Sequence, residues 1–331
     1  MDPKALLAQF APVAGEEARR AFIYDVLRLK GLAPRVDAVG NVLAGEGPVW
    51  FAAHYDTVLT PRPIEEREGR WYAPAVGDNS SGVAVLLALA EPGAGAGYVF
   101  TVGEEGLGNL RGARAFLEGV RPRYFVAVDG YLGTVVPWAV GSERLEVVFR
   151  GPGGHAWGDR GRASAIHALG RAVAALYALE LPPDASLNVG RVWGGGAINA
   201  IAAEAGLWLD LRATRSEVLA ELAERARREV AEAAHNAGVE AEIRVLGSRP
   251  AGRTASPELL EAAREAIQEA GMRPEERAAS TDAAAAVLHG VPAIAVGAYR
   301  GGGAHTEEEW VEPDSLAQGL RVLKGLLTRL R

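Results

Sequence analysis

Trp50-Phe51-Ala52-Ala53-His54-Tyr55-Asp56-Thr57 is an apolar run of strand length that stops at a histidine and an aspartate two residues apart. In an extended segment these two side chains project to the same side, which lets Asp56 orient the His54 imidazole while the other ring nitrogen takes a metal. A histidine merely capped by its neighbour has the same local sequence. Similar apolar runs at 41–44, 98–102 and 124–128 alternate with helical patterns after Ser81 and over 112–117. Helices over 3–10 and 16–29 precede them, the second with Phe22, Val26 and Leu29 recurring every three to four residues. This is the rhythm of an α/β unit with a mainly parallel, buried sheet, which carries its sites past the carboxyl ends of the strands.

The texture changes after Gly141. Strand, helix, strand, strand, helix and strand patterns follow over 144–247, the order of a ferredoxin-like two-layer unit. Then α/β character resumes with helices over 256–270 and 282–288, a strand over 293–296 and a final helix from Asp314. The expected organisation is a catalytic domain of residues 1–143 and 248–331, interrupted by an inserted domain, 144–247. A length of 331 residues exceeds the size at which one core usually stops growing, which agrees with two domains.

Composition narrows the chemistry. Apolar residues make up 49% and charged residues 23%, with 35 Lys+Arg against 42 Asp+Glu and a net charge of −7. That globular, acidic balance disfavours a nucleic-acid surface. No uninterrupted apolar span of membrane length and no basic leader with a cleavage site is present, so no membrane partner is expected and the expected compartment is the cytoplasm. The chain has no cysteine, which excludes disulfides, thiolate nucleophiles and cysteine-held metals. Any metal must sit on histidine and carboxylates. His-x-x-x-His, P-loop and Gly-x-Ser-x-Gly patterns are absent.

Four further clusters extend the first. Ala75-Val76-Gly77-Asp78-Asn79-Ser80-Ser81-Gly82 puts Asp78 at the turn before an apolar helix, where capping is the alternative role. Thr101-Val102-Gly103-Glu104-Glu105-Gly106 sets adjacent acids after a buried strand, an expensive arrangement unless a cation or a shared proton relieves it. Val126-Ala127-Val128-Asp129-Gly130 repeats the pattern, and Gly303-Ala304-His305-Thr306-Glu307 adds a late histidine. Together they form a sulfur-free donor set suited to two divalent ions bridged by one carboxylate. One glutamate of the pair is then left to carry a proton from water to a leaving amine.

In His54-Tyr55-Asp56-Thr57, Gly77-Asp78-Asn79, Glu104-Glu105-Gly106, Asp129 and His305-Thr306 the chain resembles the M20 family of co-catalytic zinc metallopeptidases and amidohydrolases. The resemblance implies that His54, Asp78 and Asp129 hold one zinc and that Asp78, Glu105 and His305 hold the other, with cobalt as the alternative metal. It also implies that Glu104 is the general base and acid and that Asp56 is the partner of His54. The inserted domain resembles the family's lid and dimerisation domain, which implies a homodimer formed through it. Gly153-Gly154-His155-Ala156 matches the segment whose histidine crosses the dimer interface to polarise the scissile carbonyl, although Trp157-Gly158-Asp159 follow here without the usual proline. A turn histidine is the alternative for His155. Asn199, after Gly194-Gly195-Gly196, is implied to hold substrate or oxyanion, and Arg212 to hold substrate or to pair near Asp210. Asp282, beside Thr281, is read as an anchor for a substrate amine or as a helix cap, and Arg300 as a carboxylate holder or a solvated charge. His167, His235 and His289 are expected to be structural.

Within that family the chain most resembles the branch that releases lysine or ornithine from an amino-group carrier protein in lysine and arginine biosynthesis. The substrate amide then joins the carrier's C-terminal glutamate side chain to the α-amino group of the amino acid. Such a substrate asks for an acid such as Asp282 or Glu309 in the pocket and for basic surface at the rim, facing a small acidic carrier protein. The alternatives are an N-acetylornithine or N-succinyl-diaminopimelate deacylase, a dipeptidase, and an inactive binding protein of the same fold.

Overall fold

Alternate residues of the strand 49–54 face two different cores, and that division organises the first of two units. The computed structural model describes all 331 residues, which separate into residues 1–139 with 253–331 and residues 140–252. The first unit opens with α1 (Pro3–Phe10), α2 (Glu16–Leu29), β1 (Arg35–Val36), β2 (Val42–Gly45) and β3 (Val49–His54). A hairpin of β4 (Glu65–Arg67) and β5 (Arg70–Tyr72) leads into α3 (Ser80–Leu89), β6 (Ala96–Thr101), α4 (Arg111–Gly119), β7 (Tyr124–Val128) and β8 (Thr134–Ala139).

The second unit runs through β9 (Gly141–Arg150), β10 (Gly154–His155), α5 (Ala165–Tyr177), β11 (Ala185–Gly194), β12 (Ala200–Ile201), β13 (Glu204–Ala213), α6 (Ser216–Ala237) and β14 (Glu240–Arg249). After β15 (Gly252–Arg253) the chain completes the first unit with α7 (Pro257–Glu269), β16 (Glu275–Ala279), β17 (Ala293–Val296), β18 (Arg300–Gly302), β19 (Trp310–Glu312) and α8 (Leu316–Leu330). The helix expected over 282–288 is a 3-10 helix, Asp282–His289, and a 3-10 turn over Pro313–Ser315 precedes the last helix. Local chemistry starts two helices: Asp2 accepts from Lys4 N ahead of Pro3, and Ser256 accepts from Leu259 N ahead of Pro257.

The large sheet has the order β1-β2-β6-β3-β7-β17-β8-β15, with β16 beside β8. Its centre, β6-β3-β7-β17, is parallel, while β2 against β6 and β8 against β17 are antiparallel. The sheet is therefore α/β but mixed at its flanks. Phe51 and Ala53, Tyr98 and Phe100, and Val126 and Val128 enter one core with residues of α1, α3, α7 and α8. Trp50, Ala52, Val99, Phe125 and Ala127 enter another with Phe116, Leu117 and the Ala283–Ala286 run. Both faces are covered, which is why these strands read as unbroken apolar runs. Helix α3, SSGVAVLLAL, is buried along its whole length and carries no charge. A separate antiparallel sheet, β18-β19-β5-β4, is built from two short hairpins that the sequence pattern did not announce.

The second unit is a four-stranded antiparallel sheet of order β11-β13-β9-β14 with two helices on one face. Leu145, Val147, Phe149, Leu207, Leu209 and Leu211 pack there against Ala168, Ala172, Leu222, Ala226 and Val230. Trp208 and Glu146 meet through a 3.1 Å hydrogen bond from the indole, and the Arg191 guanidinium lies 4.8 Å from the Trp208 ring centre. No helix in either unit is long and apolar enough to cross a membrane.

Close backbone approach seats α8. A Cβ at Gly319 would lie 2.1 Å from the Ala298 carbonyl oxygen, and backbone cannot yield as a flexible side chain does. Gly319→Ala is expected to lower the unfolding free energy by about 1–3 kcal/mol. Urea denaturation reads this as a lower midpoint, and an unchanged midpoint would mean that the helix does not rest on this contact.

Candidate active site

Three parallel strands end side by side. His54 closes β3, in register with Thr101 of β6, Glu104 and Glu105 follow β6, and Asp129 follows β7. Asp78 comes from the loop entering α3, and His305 from the loop between β18 and β19. The two oxygens of Asp78 divide between the histidines: Oδ1 is 3.1 Å from His54 Nε2, and Oδ2 is 3.1 Å from His305 Nε2. His305 Nε2 is also 3.1 Å from Glu105 Oε1. Donor atoms of His54, Asp78 and Asp129 lie within 4.8 Å of one another, as do those of Asp78, Glu105 and His305. Glu104 is buried and forms a third such group with His54 and Glu105.

The electrostatics of the cluster describe a place for cations. Burial, reinforced by the charge of Asp78, pushes Glu105 up to about 7 and raises Asp129 well above the usual carboxylate range. Burial also opposes ionisation of Asp78, but hydrogen bonds from His305 and His54 hold it below its ordinary value. The Asp78 hydrogen bond is the largest cause that lifts His305 to about 9. Without a cation, protons must relieve the crowded acids. Oxygen and imidazole donors with no sulfur fit a hard or borderline divalent ion in the same place.

Asp56 faces both His54 and the glutamate pair. The atom nearest His54 Nδ1 is the Asp56 main-chain carbonyl, at 3.3 Å, while the carboxylate stands at 3.7 Å. That carboxylate also accepts from Glu104 N at 3.1 Å and Glu105 N at 2.9 Å, and so holds the turn that presents both glutamates. The sequence also hid Arg19, which is 1% exposed and donates to the Tyr55 carbonyl at 2.6 Å and to Ser80 Oγ at 2.9 Å. A single buried arginine on an amphipathic helix leaves no periodic signature.

Glu309, anticipated as a pocket acid, is buried with both carboxylate oxygens accepting from main-chain N–H groups of 75–78. Asp282 is buried and accepts a hydrogen bond from the Thr101 hydroxyl, and Thr281 Oγ1 accepts from Ala283 N as a cap. Burial, aided by the charge of Glu104, pushes Asp282 up to about 7. The Arg300 side chain is half exposed, 3.9 Å from Glu312. Arg212 Nε pairs with Asp210 at 2.7 Å.

His155, Asn199 and Arg212 belong to the second unit. There the Asn199 carbonyl accepts from Ala156 N at 2.9 Å, beside the β10–β12 pairing. His155 Nδ1 accepts from Trp157 N and Gly158 N, each at 3.2 Å.

The family model described as peptidase family M20/M25/M40 matches residues 50–329. Among solved structures, a tripeptidase from Staphylococcus aureus superposes with a TM-score of 0.86 at 19% identity, covering 99% of this chain and 97% of that one. Aminopeptidase PepT from Bacillus cereus gives 0.80 at 20% identity, with 99% and 98% covered. An amidase of the hydantoinase/carbamoylase family from Burkholderia multivorans gives 0.69 at 20% identity over the same shares. At these identities the likeness is one of fold. No curated protein matches the chain significantly by sequence.

The Asp56 geometry predicts a local effect. Asp56→Ala should speed hydrogen exchange of the Glu104 and Glu105 amides at least about tenfold, the equivalent of roughly one hydrogen bond each. Mass spectrometry of peptides spanning 103–107 reads the change, and unaltered exchange would remove Asp56 as the holder of this turn.

Proposed function

The chain belongs to peptidase family M20/M25/M40, and on that premise we propose a function more specific than the family's metal-dependent hydrolysis of amide bonds. The substrate is the amide between the C-terminal glutamate side chain of a small acidic amino-group carrier protein and the α-amino group of lysine or ornithine. The product is the free amino acid for lysine or arginine biosynthesis. The observation that supports this reading is the open side of the centre: the His305 side chain is 52% exposed, whereas His54 is 2% exposed. A centre that is buried at one histidine and open at the other leaves room for a bulky acyl group. Both oxygens of Glu309 are engaged, whereas Asp282 Oδ1 has no hydrogen-bond partner, so of the two acids Asp282 is the one left to meet the cationic side chain of the amino acid.

Two divalent ions, zinc or cobalt, supply Lewis-acid polarisation of the carbonyl and acidify water when bound. His54, Asp78 and Asp129 would hold one, and Asp78, Glu105 and His305 would hold the other. Glu104 takes a proton from the attacking water and delivers it to the amine as the C–N bond breaks, while the water oxygen stays on the acyl carbon. Asp56 keeps Glu104 and Glu105 aligned through their amides. Because His155 Nδ1 accepts main-chain N–H bonds, Nε2 is the ring nitrogen left to donate a hydrogen bond. The order β11-β13-β9-β14 supports reading the second unit as a ferredoxin-like dimerisation module, with β11 and β14 as its two edges.

The test assays zinc- or cobalt-loaded protein against a lysine–carrier conjugate, N-acetylornithine and N-succinyl-diaminopimelate. The conjugate is expected to show the highest kcat/KM, and rapid turnover of a small acyl substrate with none of the conjugate would overturn the substrate assignment. Glu104→Ala should keep its metal and lose at least about 100-fold in turnover. Full activity in that variant would take Glu104 out of the proton-transfer role.

A further inference from the structure

We propose that Glu309 is a positioning residue for the metal centre, tying the Asp78 loop to the segment that carries His305. The proposal rests on the reading of Asp78 and His305 as metal ligands. Main-chain accounting over residues 73–78 carries it. Pro74 has no N–H, and Val76 N donates within the loop to the Ala73 carbonyl. Every other amide of the segment ends on Glu309. Ala73 N reaches its carbonyl at 3.1 Å, Ala75 N its Oε2 at 2.7 Å, and Gly77 N and Asp78 N its Oε1 at 3.1 and 2.7 Å. Three of these are bonds to one carboxylate that is itself 2% exposed.

Two independent features point the same way. A Cβ at Gly77 would lie 2.6 Å from Glu309 Oε1 and 2.7 Å from the Tyr299 hydroxyl, so the loop seats on the carboxylate only where no side chain stands. Ala75 and His305 both hold left-handed backbone, with φ of 61° and 65°, although neither is glycine. Such conformations persist only where surrounding bonds enforce them. Glu309 binds the Ala75 amide directly, and it follows His305 by four residues in a turn closed by Thr306 N to the Gly303 carbonyl and Glu309 N to the Thr306 carbonyl.

Since Asp78 faces His54 with one oxygen and His305 with the other, a shift of its loop disturbs both donor groups at once. Glutamine at 309 keeps the shape but turns an N–H₂ toward main-chain N–H groups, so at least one of the three bonds is lost.

The test compares the full-length wild type with Glu309→Gln and Gly77→Ala, measuring zinc affinity by competition with a chromogenic chelator and hydrogen exchange by mass spectrometry. The wild type should take up two zinc ions. Each variant should bind zinc at least about 10-fold more weakly, the range seen when supports of metal ligands are removed. Exchange should accelerate in peptides covering 73–79 and 303–309 while the β6 and β7 peptides stay protected.

Wild-type affinity in either variant, or exchange that rises uniformly across the unit, overturns the positioning role and leaves the metal-ligand reading standing. A wild type that binds no zinc overturns the ligand reading and the proposal with it. Gly77→Ala leaves the Glu309 side chain intact, so it keeps the test decisive if Glu309→Gln does not fold.

Discussion

Asp78, Glu104, Glu105 and Asp129 converge with two imidazoles where buried parallel strands end, and this concentration of like charge is the constraint the first unit has to meet. Removing a single carboxylate from water without a partner costs several kcal/mol, and here four lie close together. The raised positions of Glu105 and Asp129 and the lowered position of Asp78 express the same conflict in protons. Divalent cations resolve it with chemistry to spare. The architecture therefore stores an electrostatic debt at the place where metal-dependent amide hydrolysis needs its charge.

Two scaffolds meet that constraint together. The parallel centre of the large sheet, apolar on both faces, fixes His54, the glutamate pair and Asp129 with little freedom. Asp78 and His305 ride on loops, and loops alone do not hold ligands to a fraction of an ångström. Main-chain bonds tie the segments around the centre: Glu309 to the Asp78 loop, Asp56 to the Glu104–Glu105 turn, and Arg19 to the Tyr55 carbonyl just after β3. The β18-β19-β5-β4 sheet is small, yet its hairpin loop carries both His305 and Glu309.

Much of this was legible because its physical cause is local. Strands covered on both faces must be apolar throughout, so 49–54, 98–102 and 124–128 stand out, and acids at their ends are conspicuous by contrast. The short hairpins escaped because strands such as Glu65–Arg67 and Arg300–Gly302 are three residues long and charged or glycine-rich, like turns. Strand β8, TVVPWA, was masked by Pro137, which reads as a break. The role of Glu309 was invisible for a different reason. In Glu307-Glu308-Glu309 the first two pair with Arg62 and Arg67 at the surface and the third turns inward, a distinction that only tertiary packing makes.

The proposed sharing of the Asp78 carboxylate by two ions is the reading on which the account of the chemistry, the charge balance and the loop clamps depends. Anomalous diffraction at the zinc edge from metal-loaded crystals tests it most directly. Two peaks are expected, one among His54, Asp78 and Asp129 and one among Asp78, Glu105 and His305. A single peak, or ions held away from Asp78, would contradict it.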